Sequence, residues 1–214
     1  MKVVAIVPIK LINERLPNKN TRNLGGDPLI YYCQRELKQV VGLDAIYVYC
    51  SSNEIQSFLL PGVKLMIRDQ RLDSKSTNFT QIFMSFRNEV EADIYVYAHA
   101  TAPFITAATI QTELDAVVSG KYDSAFCAER IQDYLWQEGK PLNFNPENIP
   151  RSQDLPTIYR ETSGAYVFRK EIFDNMKRRV GANPYVHEVT KKEAVDINTE
   201  TDFRLAELFL GYPL

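Results

Sequence analysis

Short apolar runs rich in β-branched and aromatic residues recur along the chain at 3–8, 45–50, 63–67, 94–98 and 124–128. Each is too short for a buried helix and ends in polar or turn-forming residues, so each reads as a strand. Between them apolar positions recur at helical spacing over 28–40, 78–89 and 106–119, with a shorter helical piece near 53–60. Asp27 and Pro28 form a start signal for the first helix, the carboxylate to cap free N–H groups and the proline to occupy the first helical position. Nearly continuous apolar strands alternating with helices predict an α/β fold, a three-layer sandwich around a mostly parallel sheet covered on both faces. Ligands of such sheets bind beyond the carboxyl ends of the strands. That rule brings the loops after Pro8, Cys50 and Ala98 to one rim.

After residue 128 the pattern changes. The segment 134–144 reads as two short strands around a Glu-Gly-Lys-Pro turn. A polar, proline-bearing stretch follows over 145–156, and strand character returns at 164–168. Thr199-Glu-Thr-Asp202 resembles a capping box opening a last helix through Leu210. With no internal repeat or linker, 1–214 reads as one domain carrying an arm over 134–168.

Composition narrows the function. The 214 residues carry 25 Lys and Arg against 27 Asp and Glu, a formal net charge of −2. That balance argues against a nucleic-acid partner. No apolar run approaches the roughly 18–20 residues that span a bilayer, and 3–8 is too short for a signal-peptide core. A cytoplasmic protein without a membrane or nucleic-acid partner is expected. Cys33, Cys50 and Cys127 match no metal spacing and lie in apolar segments, as buried free thiols do.

The candidate chemistry begins directly after the first strand. Lys10, Arg15 and Lys19 share a loop with Asn13 and Asn20, and Gly25-Gly26-Asp27-Pro28 leads into a helix. The loop lacks both the Gly-x-x-x-x-Gly-Lys-Ser/Thr and the Gly-x-Gly-x-x-Gly patterns. Phosphate binding here rests on the three cations, with the asparagines as neutral hydrogen-bonding partners. Positive charge placed where a triphosphate gains negative charge is what nucleotidyl transfer needs, because that reaction depends on positioning and charge stabilisation.

Several blocks then carry a resemblance. Ile6-Val-Pro8, Arg15-Leu-Pro17, Lys19-Asn20, Leu24-Gly-Gly26, Arg68 with Leu72 and Ser76, His99-Ala-Thr-Ala-Pro103, Arg151-Ser-Gln-Asp-Leu-Pro156, Gly164-Ala-Tyr166 and Asp196-Ile-Asn-Thr-Glu-Thr-Asp202 follow one another along almost the whole chain. In this order they resemble the acylneuraminate (CMP-sugar-acid) cytidylyltransferases and their 3-deoxy-manno-octulosonate relatives. The resemblance implies a nucleotide-diphospho-sugar transferase-like fold with a mixed, mostly parallel sheet. It implies transfer of CMP from CTP to a sugar acid, with release of pyrophosphate, for surface glycan synthesis. It assigns Lys10, Arg15 and Lys19 to catalysis on the phosphates, and Asn13, Asn20, Ser51, Arg68 and Ser76 to the nucleotide. His99, Thr101, Arg151 and Gln153 would meet the acceptor, and Asp196 with Asn198 would hold Mg²⁺. The arm would close the acceptor site and form a homodimer.

Departures from that pattern are specific. Lys10 stands for an arginine, Glu14 for a lysine, Lys75 for an aspartate, Ile105 for an arginine and Asn198 for a second aspartate. Two rivals remain at this stage. One is a glycosyltransferase on a similar sheet, against which the chain lacks Asp-x-Asp. The other is a nucleotide-binding protein without turnover, which Glu14 and Asn198 favour. An acceptor other than a sugar acid also remains open.

Overall fold

The structure, a computed structural model, describes residues 1–211. The first apolar run forms β1 (Val3–Ile9), buried along its length except at Pro8. Its alternate residues Val3, Ala5, Val7 and Ile9 enter one core while Val4 and Ile6 enter another, as the two-residue period of a strand requires. The hairpin β2 (Asn23–Leu24) and β3 (Asp27–Pro28) leads into α1 (Leu29–Leu37). Then come β4 (Ala45–Cys50), β5 (Lys64–Ile67), α2 (Phe79–Glu89), β6 (Ile94–Ala98), α3 (Ala107–Val118) and β7 (Ser124–Ile131). The hairpin β8 (Trp136–Gln137) and β9 (Lys140–Pro141) follows, and β10 (Ile158–Arg169), α4 (Lys170–Met176), β11 (Pro184–Glu188) and α5 (Glu200–Gly211) close the described chain.

Seven strands form one sheet in the order β11-β7-β10-β6-β1-β4-β5. The pairs of β1 with β4 and β6, of β4 with β5 and of β7 with β11 are parallel, and β10 runs antiparallel to both its neighbours. One face packs an aliphatic core that includes residues of α1 and α3, such as Ile30, Cys33, Ile110 and Leu114. The other packs aromatic rings of α2 and α4, Phe83, Phe86 and Phe173, against Tyr95, Tyr97 and Phe168 of the sheet. The expected sandwich of layers is present. A third cluster joins Leu16, Leu24 and Leu29 to Ile197, Phe203 and Ala206, so α5 clamps the loop after β1 against the body.

Several local expectations shift. Asp27 does not cap α1: it pairs with Arg35 at 2.7 Å, and Pro28 occupies the position before the helix. The α1 start is instead tied by the Leu29 N–H, which donates to the Arg22 carbonyl at 2.9 Å. Near residue 53 the chain forms a 3-10 helix, Asn53–Phe58. The stretch 164–168 belongs to the central sheet as part of β10, so the protruding arm is shorter than 134–168. A register shift between Glu161 and Tyr166 divides the outer half of β10 from that central part. In the arm, Asn143 bridges the Leu135 N–H and the Asp133 carbonyl, and Tyr134 and Trp136 pack edge-on against Phe144. Strand β11 and helix α4 were not among the elements expected from the sequence. Cys33, Cys50 and Cys127 are free and buried.

Helix starts are set locally where the chain offers a reciprocal pair. Asn78 accepts from the Gln81 N–H at 3.1 Å and its own N–H donates to the Gln81 side chain at 3.0 Å. Asn78→Ala removes this box and should cost about 1 kcal/mol, lowering the melting temperature by roughly 2–4 °C. A thermal melt followed by circular dichroism checks this, and an unchanged midpoint would show that the box contributes nothing.

Candidate active site

The loop after β1 is shaped from within. Asn20 donates to the Lys10 carbonyl at 2.9 Å, and Asn13 donates to the carbonyls of Lys10 and Leu11 at 2.7 and 2.9 Å. Both asparagine N–H groups are thus used to fold the loop. Leu16 plugs the third hydrophobic cluster, and Asn18 takes a left-handed conformation with φ of 55° just before the 3-10 turn Lys19–Thr21. That anchoring buries Lys19. The Gly25-Gly26 pair is the turn of the β2–β3 hairpin, and an added Cβ at Gly25, with φ of 61°, would lie 2.5 Å from Leu210.

Lys19 donates to the Ile197 carbonyl at 2.7 Å and to Asn198 Oδ1 at 3.3 Å. Arg15 donates to the same Asn198 oxygen at 3.1 Å, and Asn198 Nδ2 donates to Asp196 Oδ2 at 2.6 Å. Burial lowers the Lys19 ammonium pKa below its ordinary value, opposed by the nearby Asp196 carboxylate. Ile197 is held in turn, its N–H donating to the Thr101 carbonyl at 2.8 Å. The expected capping box forms directly beyond: Asp202 accepts the N–H groups of Asn198 and Thr199 at 3.0 and 2.7 Å, and the Asp202 N–H donates to the Thr199 hydroxyl at 3.3 Å.

Three cavities meet around these residues. One of about 360 Å³ is lined by Lys10, Asn13, Glu14, Arg15, Lys19, Lys75 and Asn198. A second of about 240 Å³ shares Lys10 and adds Arg68, Ser74, Tyr97 and His99. A third of about 480 Å³ shares Asn198 and adds Asp196, Arg160, Lys191 and Phe209. Residues that line them carry buried polar atoms without partners. These atoms are Nε and Nη1 of Arg68, Nε2 of His99 and Oδ1 of Asp196. Leaving such atoms unpaired costs about 1–3 kcal/mol each, so four within one cleft mark it as built for a polar ligand.

Arg68 is oriented by Asp73, which accepts its Nη2 at 2.7 Å and also accepts the Ser51 hydroxyl. Asp73 is a site residue that sequence reasoning missed. Its role depends on Arg68 being buried, and nothing in the sequence announces that. Ser76 lies exposed beside the Ser74 hydroxyl, 2.9 Å away. His99 sits with its ring 5.2 Å from that of Tyr97 and 6.1 Å from that of Tyr166. It lines the Arg68 cavity. Thr101 contributes through its backbone. Arg151 pairs with Asp154 at 2.7 Å on an exposed turn of the arm, and neither it nor Gln153 hydrogen-bonds to the cleft among the described residues. Arg160 and Lys191, absent from the sequence-based site, line the Asp196 cavity, and Glu129 of the same lining pairs with Arg160.

The family model described as "Cytidylyltransferase" matches residues 4–208. The chain belongs to the cytidylyltransferase family. It is 26% identical over 210 residues to the N-acylneuraminate cytidylyltransferase A of Danio rerio, covering 92% of this chain and 49% of that protein. It is 22% identical over 195 residues to the 3-deoxy-manno-octulosonate cytidylyltransferase of Escherichia coli, covering 81% of this chain and 75% of that protein. The chain spans about half the length of the N-acylneuraminate relatives, 49% of the Danio rerio enzyme and 51% of the N-acylneuraminate cytidylyltransferase of Oncorhynchus mykiss. In fold it matches CMP:2-keto-3-deoxy-manno-octonic acid synthetase complexed with CTP, at a TM-score of 0.76 and 19% identity over 100% of both chains. It also matches 4-diphosphocytidyl-2C-methyl-D-erythritol synthase from Anaerococcus prevotii, at 0.71 and 11% identity over 99% of this chain and 96% of that one.

Within this member of the family, two departures from the pattern that the sequence resembles meet each other. Glu14 and Lys75 form an ion pair of 2.8 Å at the cation-lined cavity. A third departure, Asn198, has its oxygen engaged by two cations and its nitrogen by Asp196. This differs from the expected metal ligand, whose oxygen would be free.

Burial lowers the His99 pKa to about 4, with Arg179 and Lys19 adding to the effect and Asp196 opposing it. The folded chain then holds a neutral ring where the unfolded chain takes a proton. Stability from this group is fully present above pH 6.5 and lost as pH falls toward 4. His99→Gln should flatten the acid loss between those limits, checked by urea midpoints from pH 7 to 4.5. An equally steep loss in the variant would assign the acid sensitivity elsewhere.

Proposed function

We propose that this protein transfers CMP from CTP to a sugar acid of the sialic-acid or 3-deoxy-ulosonic type, releasing pyrophosphate. The single observation that carries the reading is the arrangement of Lys10, Arg15 and Lys19 in one cavity, bordered by the unpartnered donors of Arg68 on one side and by Asp196 on the other. Family membership supports the chemistry. The nucleoside would occupy the Arg68 cavity, whose two free N–H groups match acceptors on a pyrimidine ring or ribose. The phosphates would lie along the cations, and the acceptor would enter beside Arg160 and Lys191, which suit its carboxylate.

In this reading the acceptor hydroxyl attacks the α-phosphorus, a new P–O bond forms and the bond to the β-phosphate breaks. Lys19 is held rigid by two oxygens and Arg15 by one, so their charge is in place before the leaving pyrophosphate gains its own. Asn198 acts as the spacer that keeps both cations beside Asp196 without neutralising them. Asp196, with its free Oδ1, fits a magnesium ion shared with the phosphates, since such ions are commonly held by one or two carboxylates plus substrate oxygens. When bound, that ion would polarise the α-phosphoryl group.

The arm, with Trp136 and Leu142 60% and 54% exposed, suits a homodimer contact. CTP as donor suits a cytoplasmic reaction. A second reading, nucleotide binding without turnover, is favoured by Asn198, which supplies no second carboxylate for the metal.

Pyrophosphate release from CTP and Mg²⁺ over a panel of sugar acids separates the two. Release with at least one acid is expected, and CTP binding without release from any acid would favour binding alone. Lys19→Ala should lower the rate by about a hundredfold or more. It also leaves the Ile197 carbonyl unpaired, so a small fall in melting temperature accompanies it. A near-wild-type rate would remove Lys19 from the phosphates.

Base selectivity gives a further check. CTP should raise the melting temperature more than ATP, GTP or UTP, because a ligand that binds only the native state stabilises it by mass action. Equal shifts from all four would argue against a cytosine-reading cavity.

A further inference from the structure

An acid at an anion site is the least expected feature of the cleft. Glu14 is the single carboxylate among the described residues lining the cavity of Lys10, Arg15 and Lys19. Its partner Lys75 comes from the opposite lip, the loop between Asp73 and α2. We infer that Lys75 is a further phosphate-binding residue of this cavity, parked on Glu14 until a polyphosphate displaces the carboxylate. The inference deepens the proposed function, on whose nucleoside triphosphate it rests.

Three observations support it. Both side chains of the pair are largely exposed, 78% for Lys75 and 58% for Glu14. Exposed pairs of this kind contribute little stability, so exchanging one anion for another is easy. Lys75 offers three donors on a long flexible stem, and its ammonium already lies at the cavity wall. The two cations deeper in the cavity are bound to neutral oxygens, Ile197 and Asn198 for Lys19, and Asn198 for Arg15. Glu14 is thus the carboxylate with which an arriving phosphate would compete for Lys75. Lys75 also lies two residues beyond Asp73, the anchor of Arg68 and Ser51. Closing Lys75 onto phosphate would bring the nucleoside side and the phosphate side together.

The test is isothermal titration of inorganic pyrophosphate, CTP and CMP into the wild type, Lys75→Met and Glu14→Gln. Both positions are exposed, and circular dichroism melts verify that the variants remain folded. Lys75→Met should weaken pyrophosphate and CTP by about fivefold or more, the loss of one charge-assisted contact discounted for exposure, and leave CMP within about twofold. Glu14→Gln should tighten pyrophosphate by about twofold or more, because the competing carboxylate is gone. Pyrophosphate and CTP affinities unchanged in Lys75→Met would overturn the inference, as would an equal weakening of CMP. Wild-type protein that binds CTP normally in either case keeps the proposed function intact. Wild-type protein that binds none of the three probes sinks both.

Discussion

The amide of Asn198 ties the cleft together, and the placement of the other groups depends on it. Its oxygen receives Lys19 and Arg15 from the N-terminal loop, and its nitrogen gives to Asp196. A lysine as buried as Lys19 is costly without partners. The Ile197 carbonyl and this amide satisfy it, and the Thr101 carbonyl in the loop after β6 fixes Ile197. Three segments far apart in the chain are thereby joined through backbone and amide groups, and no carboxylate is used to neutralise the cations directly.

The sheet makes this junction possible. β1 and β6 are parallel neighbours, so the loops that follow them leave from the same edge. The wedge of Leu16, Leu24, Leu29, Ile197 and Phe203 then packs the N-terminal loop against the turn before α5. Apolar burial on both faces supplies the rigidity that lets polar atoms of Arg68, His99 and Asp196 stay unpaired. A cleft with such atoms has its hydrogen-bonding capacity reserved for a ligand, and preorganised groups of this kind need no rearrangement when charge develops.

Two of the departures from the resembled pattern offset each other in charge, and a third does not. The acid at position 14 and the base at 75 face each other, so the exchange leaves the summed charge of the two lips unchanged. At 198 the exchange does remove a negative charge, which leaves Asp196 as the carboxylate beside two cations. Under the proposed function, such a site would rely more on the phosphates of its ligand to hold a metal than one with two acids does.

Much of the fold follows from the chain's own pattern. The runs that became β4 and β6 have the expected ends, and the α2, α3 and α5 starts lie at Asn78, Thr106 and Thr199, because apolar periodicity and capping act over a few neighbouring residues. The cations of the N-terminal loop and Arg68 were legible by residue type and order, and the structure gathers them around adjoining cavities. Tertiary structure decided the rest. β10 enters the sheet antiparallel between β6 and β7, and His99 comes to share a cavity with Arg68. Asp73, Arg160 and Lys191 become cleft residues only when distant strands and loops meet. Local signals set where elements begin, whereas a tie such as Lys19 to the Ile197 carbonyl depends on how the layers pack, and no short-range pattern encodes that.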